Sequence, residues 1–325
     1  MQATEPKARI DQRRPDGSLR HLITLQGLSR QEIESLLVRA QYYVREIGDR
    51  PASGERLRGV TIANLFSEPS TRTRVSFELA GRRLGAEVVN IEVQLSSRAK
   101  GETMLDTIYT LQSMHFDVFV IRDAEPGVLE HVAAHVAPHV SVLSAGEAHL
   151  SHPTQGLLDA LTVRQYKGPI SERTIAIVGD IRHSRVARSA YQVFRALGAR
   201  ELRIVAPDVL MPDAHEFAGC QRFDSLEQGL AGVDVIMMLR VQKERIAQTD
   251  IPDGDDYFRR YGLTPERLGR AAPDAIVMHP QPMNRGVEIA SSVADGPQSV
   301  IRAQVRNGVA VRMAVLEAVA GGLSA

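Results

Sequence analysis

Val60-Thr61-Ile62-Ala63-Asn64-Leu65-Phe66-Ser67-Glu68-Pro69-Ser70-Thr71-Arg72-Thr73-Arg74 is a stretch where an apolar run gives way to an amphipathic one. Val60 to Phe66 has the length and β-branched content of a buried strand. From Thr73 to Leu84 the pattern turns helical, with Val75, Leu79 and Leu84 expected inward and Gly85 as the stop. Ser70 and Thr71 then stand at the helix cap, where backbone N–H groups and the positive end of the helix dipole face any nearby anion. Arg72 and Arg74 add cationic forks that match phosphate oxygens. Read alone, the segment is equally a Ser/Thr cap followed by two solvated arginines.

Outward from this junction, short apolar strands keep alternating with amphipathic helices, the pattern of parallel sheets covered on both faces. Ser29-Arg30-Gln31-Glu32 has the form of a capping box, followed by Ile33, Leu36, Leu37, Ala40 and Val44 at helical spacing. Strands are expected at Val88 to Val93, Val118 to Ile121 and Val140 to Leu143, with helices between them. A second series follows His152: a helix to Tyr166, a strand Thr174 to Val178, a helix Arg185 to Leu197 and a strand Leu202 to Ala206. Strands Val233 to Leu239 and Ala275 to Met278 and a helix from Val300 to Ala320 complete it. The predicted fold class is α/β, with two doubly wound parallel-sheet domains joined by helices and an active site in the cleft between them. The expected division is a flexible extension over residues 1–20, a first domain over 21–150, a second over 151–298, and a C-terminal helix over 299–325 that returns to the first.

Composition sets limits on function. The chain has 325 residues, 43% of them hydrophobic, enough for more than one core. Its 39 basic and 39 acidic side chains cancel, so neither nucleic acid nor an anionic membrane is favoured as a partner, and any anion site must be local. The single cysteine, Cys220, excludes an internal disulfide and a thiolate metal cluster, so no metal and no cofactor are expected. No segment approaches the ~20 apolar residues of a membrane span, and Met1 to Arg20 lacks an apolar leader core. A soluble cytoplasmic protein is the expectation.

Polar clusters stand where these strands end, the edge at which open α/β sheets bind ligands. Arg122 closes Val118-Phe119-Val120-Ile121. His152-Pro153-Thr154-Gln155 opens a helix with proline in its first turn. Gly179-Asp180-Ile181-Arg182-His183-Ser184-Arg185 lies between a strand and a helix but lacks the glycines of a dinucleotide fingerprint. Arg240 and Gln242 follow Ile236-Met237-Met238-Leu239, and His279-Pro280-Gln281-Pro282 ends the last strand in a rigid turn that admits a cis bond. Taken singly, each has an ordinary counterpart: a surface arginine, a capping histidine, a solvated loop, a strand terminator.

Together the clusters resemble one family, the carbamoyltransferases, and within it the aspartate carbamoyltransferase catalytic chains. Ser70-Thr71-Arg72-Thr73-Arg74, Lys100-Gly101-Glu102-Thr103, Val120-Ile121-Arg122, His152-Pro153-Thr154-Gln155, Arg182-His183-Ser184-Arg185-Val186, Leu239 to Arg245 and His279-Pro280-Gln281-Pro282 carry the resemblance, from about His21 to the C-terminal helix. It implies transfer of the carbamoyl group of carbamoyl phosphate to L-aspartate, the committed step of de novo pyrimidine (UMP) biosynthesis. It implies that Ser70, Thr71, Arg72 and Thr73 hold the phosphate, that Thr73, Arg122, His152 and Gln155 surround the carbamoyl group, and that the Gln281 and Pro282 turn approaches it. Ser96 and Lys100 are implied to reach a neighbouring subunit's site, making a homotrimer with shared sites, alone or with regulatory chains or a dihydroorotase. Arg72, Thr73, Arg122, His152 and Lys100 are then the catalytic set, and Lys100, Arg185, Arg240 and Gln242 the aspartate set.

Chemistry agrees with this assignment: a dicarboxylate needs converging cations, and Arg185, Arg240 and Gln242 supply two forks and an amide. The Ser-Met-Gly loop and His-Cys-Leu-Pro turn of ornithine enzymes are absent. Gln281 departs from the Leu or Gly usual between the two prolines. Glu68 is expected to pair with Arg185, leaving no general base among the clusters.

Overall fold

β1 (Thr61–Phe66) is buried over almost its whole length, as Ile62, Ala63, Leu65 and Phe66 require. In the computed structural model, which describes residues 11–92, 103–241 and 254–321, it lies inside a parallel sheet. β2 (Glu87–Glu92) flanks it on one side and β3 (Val118–Asp123) on the other, with β4 (Ser141–Glu147) beyond, in the order β2-β1-β3-β4. The helices α2 (Thr71–Arg83), α3 (Met104–Gln112) and α4 (Val128–His135) lie between successive strands along the chain. Leu65, Ile108, Phe119, Leu129, Val132 and Val142 meet in one apolar core.

A second sheet orders β5 (Thr174–Val178), β6 (Glu201–Val205), β7 (Gln221–Phe223), β8 (Val235–Met238) and β9 (Ile276–Met278) as β7-β6-β5-β8-β9, all parallel. Its helices are α1 (Arg30–Tyr43), α5 (Pro153–Lys167), α6 (Arg185–Ala196), α7 (Leu226–Leu230), α8 (Gly254–Tyr261), α9 (Pro265–Leu268), α10 (Ser291–Ala294) and most of α11 (Ile301–Ala320). The two sheets belong to two compact units. Among the described residues, one takes the chain up to Thr24, Arg45–Ala148 and the part from Arg312 on, and the other takes Leu25–Val44 and His149–Val311. α1, expected in the first domain, packs on α5 in the second unit. The reason is that Ile33, Leu36, Leu37 and Ala40 form an apolar stripe and α5, buried from Pro153 to Val163, offers an apolar surface. The capping box of Ser29 and Glu32 is formed as read.

Three local expectations are corrected. α2 starts at Thr71, and its inward face is Thr73, Phe77, Ala80 and Gly81, with Val75 and Leu79 turned out at 42% and 39% exposure. Phe77 and Gly81 set that phase: the Arg312 guanidinium lies 5.1 Å from the Phe77 ring, and a Cβ on Gly81 would come within 2.7 Å of Val88. Val75 and Leu79 stand two residues, roughly 200°, round the helix from Phe77.

The extension expected to be flexible is held from Gln12 onward. Its buried amide accepts from Ile23 N at 2.6 Å and Thr24 N at 3.1 Å, and Arg14 Nη2 donates to Val319 O at 2.6 Å. Polar side chains were satisfied there by backbone, which composition does not disclose. Finally, β7 was missed because Gln221-Arg222-Phe223 has no apolar run, and only its register against β6 makes it a strand. No helix among the described residues is long and apolar enough to cross a membrane.

Gly156 lets α5 and α6 approach: a Cβ there would lie 2.7 Å from the Ser189 carbonyl and 2.8 Å from Leu25 Cδ1. Because backbone is the obstacle, Gly156→Ala is expected to lower stability by about 1–3 kcal/mol in urea unfolding. Gly54→Ala, with nothing within 4 Å, serves as the control and is expected to leave the midpoint in place.

Candidate active site

In the first sheet the chain leaves β1 through α2 toward β2, while β3 lies on the other side of β1. Connections that depart in opposite directions open a crevice at the carboxyl edge of the pair. Ser67 bridges that edge, donating from both N and Oγ to the Arg122 carbonyl at 3.0 Å. Ser70 is the N-cap of α2 but its side chain makes no capping bond. The N–H groups of the first turn, having no intrahelical acceptor, therefore point their donors outward beside Arg72. Arg72 is exposed, though enough protein surrounds its guanidinium for desolvation to lower its pKa. Thr73 is buried at 8% exposure, and Arg74 turns aside to Glu92, 3.3 Å away. Arg122 is half-buried: Nη1 donates to Ala145 O at 3.3 Å and Nε lies 3.1 Å from Glu68 Oε2. Glu68 thus faces Arg122 within this unit. Thr71 heads α2 and is exposed.

In the second sheet the corresponding edge lies between β5 and β8, since β6 and β7 extend one way and β8 and β9 the other. Gly179 leaves β5 at φ +125°, and a Cβ on it would lie 2.6 Å from Leu239 O, so only glycine fits this close crossing. The buried Asp180 then accepts from His183 N at 3.1 Å and sits 2.9 Å from His183 Nδ1. That turn delivers Ser184 as a capping residue, accepting from Ala187 N, and Arg185 as the first residue of α6, buried to 8% exposure. Arg240, half-buried, directly follows Leu239 just beyond β8.

α5 brings His152 and Gln155 to the same unit, at 5% and 8% exposure. His152 is the N-cap, and its backbone N donates to Ser189 Oγ of α6 at 2.8 Å. At the end of β9, His279 N donates to Gln304 Oε1 at 2.9 Å. His279 Nδ1 accepts from Gln281 N at 2.9 Å, which leaves the proton on Nε2, 3.2 Å from Glu288 Oε1. Gln281 has φ +57° and its bond to Pro282 is cis. The structure brings two amides to one carboxyl: Asp159 Oδ1 accepts from Gln155 Nε2 at 3.0 Å and from Gln304 Nε2 of α11 at 2.8 Å, and the Gln304 oxygen in turn accepts from His279 N. Full burial pushes the Asp159 carboxyl up to about 7, against the lowering effect of the two amides. Asp159 escaped the sequence reading, although an acid inside Leu157-Leu158-Asp159-Ala160-Leu161 is the signal that would have found it. Ser96, Lys100 and Gln242 lie outside the described residues.

Two family models divide the chain: the carbamoyl-P binding domain of aspartate/ornithine carbamoyltransferase matches residues 20–165, and the Asp/Orn binding domain matches residues 171–319. Among solved structures, aspartate transcarbamoylase from Trypanosoma cruzi in complex with carbamoyl phosphate and aspartate is 32% identical, with a TM-score of 0.81 over 92% of this chain and 96% of that one. The same enzyme with carbamoyl aspartate and phosphate is 33% identical, with a TM-score of 0.80 over the same shares. Ornithine carbamoyltransferase from Pyrococcus furiosus is 30% identical, with a TM-score of 0.82 over 93% of this chain and 97% of that one. Paired parallel sheets, the arginine-bearing helix start after β1 and likeness over nine-tenths of the length together show that the chain belongs to the aspartate/ornithine carbamoyltransferase family.

Proposed function

We propose that the chain transfers the carbamoyl group of carbamoyl phosphate to the amino group of L-aspartate, giving N-carbamoyl-L-aspartate and phosphate, the committed step of de novo pyrimidine biosynthesis. The observation that carries the aspartate assignment is cationic: Arg185 and Arg240 follow β5 and β8, the two strands that flank the edge of the second sheet. Two guanidinium forks suit a dicarboxylate, whereas the second ammonium of ornithine calls for an anionic partner.

Carbamoyl phosphate is an activated mixed anhydride, so the protein need only place it, polarise its carbonyl and neutralise the leaving group. In this reading Ser70, Thr71, Arg72 and the N–H groups of α2 bind the phosphate. Thr73, Arg122 and His152 donate to the carbonyl oxygen as it becomes an oxyanion, each such donor being worth about 3 kcal/mol. Gln155 and the turn at Gln281 and Pro282 face the carbamoyl NH2 group. The aspartate nitrogen attacks the carbonyl carbon, the bond from that carbon to the bridging oxygen breaks, and the departing phosphate takes the amine proton. Catalysis is then positioning and electrostatics. Gln242 joins Arg185 and Arg240 on aspartate, and Ser96 and Lys100 complete the site of a neighbouring subunit in a homotrimer.

Phosphate release with aspartate and with ornithine, measured side by side, tests the reading, and turnover with ornithine alone would overturn the substrate assignment. Arg240→Ala is expected to raise the aspartate KM at least thirtyfold, since loss of a partner in a buried charged pair costs on the order of 2 to 5 kcal/mol. Carbamoyl-phosphate binding should hardly change, and an unaltered aspartate dependence would remove Arg240 from the site.

Arg72→Ala is expected to cut kcat by about a hundredfold or more while the melting temperature holds, because charge on the leaving phosphate grows in the transition state. Near-normal turnover would leave Arg72 a solvated helix residue.

Subunit exchange tests the shared site. Mixing Lys100→Ala and Arg240→Ala chains in equal amounts, assayed at aspartate far below the raised KM where neither parent is appreciably active, should restore about a quarter of the sites, those in which an intact Arg240 meets a neighbour's intact Lys100. Activity that stays at parental levels after confirmed exchange would place both residues within one chain's site.

A further inference from the structure

We propose that Asp159 is a positioning residue that decides which end of the Gln155 amide faces the carbamoyl group, and that it couples this choice through Gln304 to the turn after β9; the proposal rests on the carbamoyl-transfer reading above. A glutamine amide has nearly the same shape whichever way it is turned, so only its hydrogen-bond partners select oxygen or NH2 for a given direction. The selection here starts at a backbone group. His279 N is a buried donor, and the acceptor 2.9 Å from it is the amide oxygen of Gln304. The NH2 of Gln304 is thereby directed to Asp159 Oδ1, at 2.8 Å. That oxygen acts as an acceptor, and any second amide that meets it must also offer NH2. Gln155 does so at 3.0 Å, and its own oxygen is left for another donor. Carbamoyl phosphate carries such a donor in its NH2 group and no acceptor at that nitrogen. A reversed Gln155 would oppose N–H to N–H.

The location of Asp159 argues against a purely structural role. It is wholly buried among Leu157, Leu158, Ala160 and Leu161, where a carboxyl is costly and an apolar residue would pack without penalty. Both amides converge on Oδ1, while Oδ2 is buried without a hydrogen-bond partner. The carboxyl thus imposes a direction on two glutamines rather than satisfying its own full bonding capacity. Gln304 extends the device to the His279 to Pro282 turn, so the amide at the carbamoyl nitrogen and the backbone beside it share one anchor.

The test is a double-mutant cycle on the full-length chain, read as kcat and KM for both substrates. Asp159→Asn keeps an acceptor oxygen for the two glutamines and is expected to lose no more than about threefold in kcat. Asp159→Leu removes the acceptor and is expected to lose at least tenfold in kcat, with either KM moving less than threefold. In the double variant with Gln155→Leu, the loss should be smaller than the product of the two single losses, because part of the effect of Asp159 passes through Gln155. Multiplying losses would overturn the proposal, as would an Asn variant as impaired as the Leu variant. Should Asp159→Leu fail to fold, Asp159→Ala takes its place in the cycle, with circular-dichroism melting confirming each protein. An inactive wild type toward both aspartate and ornithine would sink the functional reading itself, whereas an active wild type with additive losses sinks only the role of Asp159.

Discussion

A parallel strand pair whose connections run off in opposite directions cannot close its own carboxyl edge, and this chain contains such a pair in each sheet, β1 with β3 and β5 with β8. At the first edge, Ser67 clamps the Arg122 backbone and the following residues enter α2 with their donors outward. At the second, Gly179 passes so close to the Leu239 carbonyl that no side chain is tolerated; Arg240 directly follows Leu239, and Arg185 opens α6 six residues after Gly179. Helix dipole and the Arg72 guanidinium share one sign at the first edge.

Such gathered positive charge has to be held without collapsing onto the protein's own acids. Glu68 takes up part of the Arg122 charge, and Arg74 is drawn off by Glu92, so that Arg72 is left beside the helix start. Asp180 is buried with His183 Nδ1 2.9 Å from its Oδ1. The second unit also contains a buried polar layer in which Asp159 Oδ1 accepts from the Gln155 and Gln304 amides and His279 lies between Gln304 and Glu288.

Most of this was legible in the residues because strands buried on both faces write continuous apolar runs, and β5 from Thr174 to Val178 is read without error. Arg122, Gly179, Arg240 and His279 could be picked out for the same reason, since each directly closes or follows a run. What escaped was whatever depended on neighbours distant in the chain. The phase of α2 is set by Gly81 against Val88 and by Arg312 over Phe77, neither visible from a count of apolar residues in the helix. The anchoring of Gln12 depends on backbone groups at Ile23 and Thr24, and the role of Asp159 on a glutamine 145 positions away. Polar residues satisfied by remote partners have no periodicity to betray them.

α11 supplies a last consequence. Its second half belongs to the first unit, where Arg312 stacks on Phe77, Glu317 Oε1 meets Arg56 at 2.5 Å and the Val319 carbonyl receives Arg14 and Ser141. These residues are synthesised only after the entire second unit. On a ribosome the first sheet therefore waits, its α11-facing side chains uncovered, from Glu147 until Arg312 and the residues after it have emerged, whereas the second unit has all its strands in one uninterrupted stretch. Vectorial synthesis favours completion of the unit that is later in sequence before the one that begins the chain, and any cut that frees the second unit deprives the first of its closing helix.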